Sequence, residues 1–114
     1  MKNRLGDKAR LEHILDAINE VSGYTEDISF ESFQENSMMQ FATVKQLEII
    51  GEAANHLTTS LKDLHSEIDW REIVSLRNLL VHEYFGIDLK IVWDIVNFDL
   101  PKIKIQIAGI VNNL

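Results

Sequence analysis

The stretch Arg77-Asn78-Leu79-Leu80-Val81-His82-Glu83-Tyr84 decides how the rest of this 114-residue chain is read. Groups suited to phosphate chemistry surround the apolar Leu79, Leu80 and Val81. Arg77 is a permanent cation with a fork of donors. His82 gives or takes a proton near neutral pH. Asn78 offers an amide donor and acceptor, and Tyr84 a phenol. With no Gly or Pro inside it, and with apolar residues that fit one buried face, the stretch reads as helix.

On an α-helix each residue turns by about 100°. Arg77 and Tyr84 then lie nearly on one line, roughly 10 Å apart along the axis. Asn78 and His82, at i and i+4, are neighbours on an adjoining strip. Arg77 and His82 diverge by about 140°. A single copy of this helix does not aim both at one point. Two copies packed across a two-fold axis would each supply part of a composite cleft, so the angles favour a homodimer.

Working outward, Asp69-x-x-Glu72 is a capping box, with Ile68 and Ile73 as a hydrophobic staple. It starts the motif helix, which runs through about Tyr84 and is closed by Gly86. Asp88 caps the last helix. Leu89, Ile91, Val92, Ile95, Val96, Phe98, Ile103, Ile105, Ile107 and Ile110 are too many for one narrow stripe, and a helix apolar on two sides packs on its own core and on a partner. Pro101 should kink or interrupt that helix, because its missing N–H orphans the Asn97 carbonyl. Upstream, Asp7 caps a helix over residues 8–22 that Ser22-Gly23 ends in a left-handed stop. Tyr24 to Ile28 is a connection. Ser29 caps a short helix over 30–35 with Phe30 and Phe33 inward. Asn36 or Ser37 starts a long helix to about Leu57, with Met38, Phe41, Val44, Leu47, Ile50, Ala53, Ala54 and Leu57 as its stripe. Gly51 and its small neighbours let another helix come close. Thr58 to Ile68 reads as a loop that can hold a short turn at Ser60–Leu64. The expected fold class is all-α, an antiparallel bundle of four to five helices in a single domain over 1–114.

Composition narrows the classes. Cysteine is absent, which removes disulfides and thiolate metal sites and suits a reducing cytoplasm. No apolar run approaches the ~18 residues of a membrane span, and no apolar stretch follows the N-terminal residues as in a secretory signal. His13, His56, His65 and His82 are scattered, so no metal site is expected. Trp70 and Trp93 read as core or interface aromatics. Arg71 reads as a surface ion-pair partner, with phosphate contact the minor reading. The net charge is −7, the wrong sign for a general nucleic-acid binder. That charge is uneven: Glu12, Asp16, Glu20, Glu26, Asp27, Glu31 and Glu35 occupy a stretch to Val44 with no Lys or Arg. It is either a solvated acidic face or a docking surface for a basic partner.

Arg77-x-x-x-x-His82-x-Tyr84 resembles the R-x-x-x-x-H-x-Y signature of HEPN domains, specifically the HepT toxin family. The surrounding words are similar too: Ile68-Asp69-Trp70-Arg71-Glu72-Ile73, Leu76-Arg77-Asn78, Phe85-Gly86-Ile87-Asp88, and upstream Leu47-Glu48-Ile49-Ile50-Gly51-Glu52-Ala53-Ala54. Ser75 departs from the glycine often found there, which matters only if two helices touch backbone to backbone at that point. The resemblance implies a HEPN-like bundle dimerising through helices, and a cytoplasmic toxin of a type VII HEPN/MNT toxin–antitoxin pair. It implies a metal-independent endoribonuclease acting on RNA, with transfer RNA as substrate class and 2′,3′-cyclic phosphate products. Arg77 and His82 would be catalytic and Asn78 supporting. The implied partner is an MNT-type nucleotidyltransferase antitoxin that moves AMP from ATP to Tyr84. The chain itself would need no cofactor.

The residues suit that chemistry. RNA cleavage needs a base for the 2′-OH, an acid for the leaving 5′-oxygen, and positive charge on the phosphate. His82 suits the first two and Arg77 the third. Asn78 would orient His82 or bind the phosphate. The plainer alternative is a helix end where His82 meets the last carbonyls, Arg77 pairs with a carboxylate, and Tyr84 packs on Phe85. A functional alternative is a non-catalytic helical module that binds a nucleotide or the transferase.

Overall fold

The computed structural model describes residues 6–79 and 88–114, and all regular structure among them is helical. Helix α1 (Asp7–Thr25) and α3 (Ser37–Asn55) form the central pair. They run antiparallel. The start of α1 is tied to the residue before α4 (Thr59–Leu64), where Thr58 donates from N and Oγ1 to the Asp7 carboxylate at 3.0 and 2.6 Å. At the far end Gln46 donates to the Tyr24 hydroxyl at 3.3 Å. Asp7 is therefore a tether between distant segments rather than a cap: Gly6 holds the cap position with no side-chain bond.

Helix α1 does not stop at Gly23. It runs on to Thr25, whose hydroxyl donates to the Val21 carbonyl at 2.9 Å. The left-handed residue is Asp27, at φ 59°, a conformation that Asp tolerates better than most side chains. The short α2 (Phe30–Gln34) starts at Ser29, whose hydroxyl accepts from Ser32 N, and α3 starts at Asn36, whose side chain accepts from Met39 N. Both caps are those expected. The segment after Thr58, expected as a loop, contains α4. Thr58 caps it by accepting from Leu61 N at 3.2 Å, and Leu61 is buried.

The last element is continuous but not uniform. Asp88 caps α6 (Leu89–Asp94), a π-helical turn covers Ile95–Asp99, and α7 (Leu100–Asn112) follows with Pro101 in its first turn. The widened turn lies one turn ahead of the proline, where the regular bond to residue 101 cannot form. The Asn97 side chain donates instead to the Trp93 carbonyl at 2.8 Å.

One apolar core runs through these elements. Leu11, Ile14, Ile18 and Val21 of α1 meet Val44, Leu47, Ile50 and Ala54 of α3 and Val92, Leu100, Ile103 and Ile107 of the last element, all buried. Phe33 is fully buried and stacks on Trp93 at 5.1 Å, with Phe30 on the same ring at 5.8 Å. Trp70 is buried and donates to the His65 carbonyl at 3.0 Å, so both tryptophans are packed aromatics. Met38 and Phe41 depart from the expected stripe: they are 78% and 62% exposed. Ile91, Phe98 and Ile105, seven residues apart, are also exposed and give the last element its second apolar side.

Helix α3 comes close to the backbone after α5 at Gly51. A Cβ there would collide with the backbone N of Arg77 and meet Val74 O at 2.8 Å and Arg77 Cβ at 2.9 Å. Ser75 is exposed instead, with its hydroxyl donating to Glu72 O, so its departure from glycine is harmless. Gly51→Ala is expected to destabilise the protein by about 1–3 kcal/mol, because a methyl group has no room. Gly23→Ala, at an open position inside α1, should stabilise it by about 0.5–1 kcal/mol. Urea unfolding of the two variants beside wild type measures both signs.

Candidate functional site

Asp69 starts α5 (Trp70–Ser75) by accepting from Glu72 N at 3.1 Å, as the capping pattern requires. The helix then changes character. Leu76–Asn78 form a 3-10 turn, so the expected α-helical geometry is interrupted after Ser75, and the expected course of the helix from Leu80 to Tyr84 lies outside the described residues. The 100° step from Arg77 onward therefore does not hold at its first residues. Arg77 and Asn78 both sit in this tighter turn, with Leu76 buried beneath them. His82, Tyr84 and Gly86 lie outside the described residues.

Arg77 is held over α3. Gly51 admits its backbone, and the next residue of α3, Glu52, receives its side chain: Arg77 Nη1 donates to Glu52 Oε1 at 3.3 Å. The other carboxylate oxygen, Oε2, accepts from His56 Nε2 at 2.8 Å, one turn on. The His56 bond, and after it the Arg77 bond, hold the Glu52 carboxyl below the usual carboxylate range, against a small opposing push from burial. All three side chains are partly open to solvent, Arg77 at 36% and the other two at 53%. The arrangement is thus a cation on a short anchor at the surface. The expected carboxylate partner of Arg77 exists, and it is engaged through a single nitrogen in the described structure.

Glu52 and His56 were not singled out as site residues in the sequence. Their i, i+4 spacing on one helix was visible, but nothing local linked Glu52 to a residue 25 positions away. Asn78 is exposed. Arg71 has no ion pair among the described residues. Among the same residues no three His, Asp or Glu side chains converge in a way that would hold a metal ion. No described helix is long and apolar enough to cross a membrane.

Because the folded state depresses the Glu52 pKa, its contribution to stability is present above the unfolded value of 4.5 and is lost as pH falls through the lower folded value. An exposed pair contributes under about 1 kcal/mol. Glu52→Gln should therefore unfold at slightly lower urea than wild type at about pH 7, and the gap should close at about pH 3. A gap that persists in acid would mean that Glu52 acts through packing and not through charge.

The family model described as Ribonuclease HepT-like matches residues 14–110. A protein of Methanocaldococcus jannaschii whose name proposes an RNase is 42% identical over 88% of this chain and 92% of its own length. A Thermococcus cleftensis protein whose name proposes ribonuclease HepT is 42% identical over 85% of this chain and 88% of its own. A further relative from Caldanaerobacter subterraneus, also named for a proposed RNase, is 37% identical over 88% of this chain and 89% of its own. No solved structure matches.

Proposed function

The chain belongs to the HepT-like ribonuclease family, and we propose that it is the toxin of a toxin–antitoxin pair, a metal-independent endoribonuclease that cuts transfer RNA. Arg77 binds the scissile phosphate and stabilises the charge that builds on it. His82 of one copy takes the 2′-OH proton and His82 of the second protonates the leaving 5′-oxygen. Asn78 supports the phosphate or the imidazole. The products are a 2′,3′-cyclic phosphate and a 5′-OH.

The observation that carries this reading is the posture of Arg77. It is half-exposed and anchored to Glu52 by one nitrogen, which leaves guanidinium donors for a phosphate. The homodimer is supported by the second apolar side of the last element, where Ile91, Phe98 and Ile105 are exposed at 52%, 71% and 75%. A nucleotidyltransferase partner silences the toxin by placing AMP on Tyr84, beside Arg77 and His82 in sequence, where its bulk and negative charge fill the cleft. The second reading, a binding module for that partner, draws on exposed Met38 and Phe41 beside the acidic Glu31 and Glu35.

Cleavage of total transfer RNA in EDTA tests the proposal. Wild type is expected to cut, His82→Ala to lose at least about 100-fold in rate, and Arg77→Lys to lose activity as well, because an ammonium cannot make the forked contact. Intact mass is recorded on each preparation. An inactive wild type with mass added in units of AMP points to a silenced toxin, and Tyr84→Phe should then remain unmodified and active. An inactive wild type of unmodified mass rejects the ribonuclease reading in favour of the binding module.

A further inference from the structure

A groove of about 250 Å³ lies between α1 and α3, lined by Arg10, His13, Ile49, Glu52, Ala53 and His56. Ile49 and Ala53 give it an apolar surface. Its remaining side chains are unusual for a chain of net charge −7, since one is a full cation and two are histidines. Among the described residues Arg10 has no carboxylate within ion-pair distance, and its Nε is buried without an acceptor. A buried donor without an acceptor is costly.

The groove also adjoins the motif. Glu52 lines it and at the same time anchors Arg77 at 3.3 Å. A strand whose phosphate rests on Arg77 would continue past Glu52 into the groove. The Glu52 carboxylate is the groove's one acidic side chain, and its charge is already engaged by His56 and Arg77. An apolar surface beside a cation is the pairing that a nucleoside and its phosphate require. The volume is near the lower end of small-ligand sites, about 300 Å³, which suits one nucleotide.

We propose that the α1–α3 groove is a subsite for the nucleotide adjoining the scissile phosphate of the RNA, with its base or sugar against Ile49 and Ala53 and its phosphate on Arg10. His13 lines the same place. This rests on the ribonuclease reading of Arg77 and His82, and it adds α1 to the substrate-binding surface.

The test measures cleavage of total transfer RNA at several salt concentrations, and filter binding of the same RNA, for wild type, Arg10→Ala, Arg10→Lys, Ile49→Trp and Lys104→Ala. Arg10→Ala should raise KM about fivefold or more with kcat within about twofold, and should flatten the dependence of affinity on salt by about one phosphate contact. Arg10→Lys should recover most of the loss. Ile49→Trp, at a partly exposed position, should raise KM by filling the groove, and it decides the matter alone if Arg10→Ala melts early. Lys104→Ala removes the same charge from α7 and should change nothing. An unchanged KM in both Arg10→Ala and Ile49→Trp, with wild type cutting, overturns the subsite and leaves the ribonuclease standing; so would a groove that serves a protein partner. If wild type does not cut, the ribonuclease reading has failed separately. Filter binding then decides: weaker binding by both variants keeps the groove as an RNA site, and equal binding removes it.

Discussion

The contact between α3 and the turn after α5 is the constraint on which the rest of this site depends. Gly51 has no side chain, and the backbone of Arg77 occupies the space that a Cβ would need. The approach is closer than any pair of residues with side chains allows. It fixes where the 3-10 turn of Leu76–Asn78 sits along α3, and so it fixes which α3 residue lies beneath the guanidinium. That residue is Glu52, the next one in the chain. Position 51 supplies the gap and position 52 the anchor. A change of one residue in register would remove both.

The surrounding bundle keeps that register. Helices α1 and α3 are tied at both ends, by Asp7 with Thr58 and by Tyr24 with Gln46, and their facing residues are buried along the whole overlap. The last element covers the other side of this pair. Its widened turn ahead of Pro101 keeps Val92, Ile95, Val96 and Leu100 in the core despite the missing N–H. The aromatic group of Phe30, Phe33 and Trp93 pins α2 to α6. These interactions are remote from Arg77, yet each limits how far α3 can slide or rotate beneath it.

Electrostatics sets the character of the site. In a chain of net charge −7, a phosphate is repelled by most of the surface. Arg77, Arg10, His13 and His56 gather around one carboxylate at the α1–α3 edge. That carboxylate is shared between two donors, so its field is spent locally. The acidic residues Glu12, Asp16 and Glu20 lie on the same helix as Arg10 and His13, so α1 carries both signs.

Much of this was legible in sequence, and the rest depended on distance along the chain. The all-α class, the caps at Ser29, Asn36, Asp69 and Asp88, the packed tryptophans and the disturbance at Pro101 follow from residue type and short spacing, which act within one or two turns. The family was also legible, because the words around Arg77 are specific. The end of α1 at Thr25 differs from the expected stop because a neighbouring helix can sustain a turn past a glycine, and the expected short turn at Ser60–Leu64 is a full helix, α4, because Leu61 gains burial that a local reading does not show. The sequence by itself determined which groups are available: a forked cation, small residues in α3, and a carboxylate four residues before a histidine. Only the tertiary structure decided that Gly51, Glu52, His56 and Arg77 form one cluster with Arg10 and His13 alongside. Their separations in sequence are too long for any local rule, and what brings them together is close packing of the bundle.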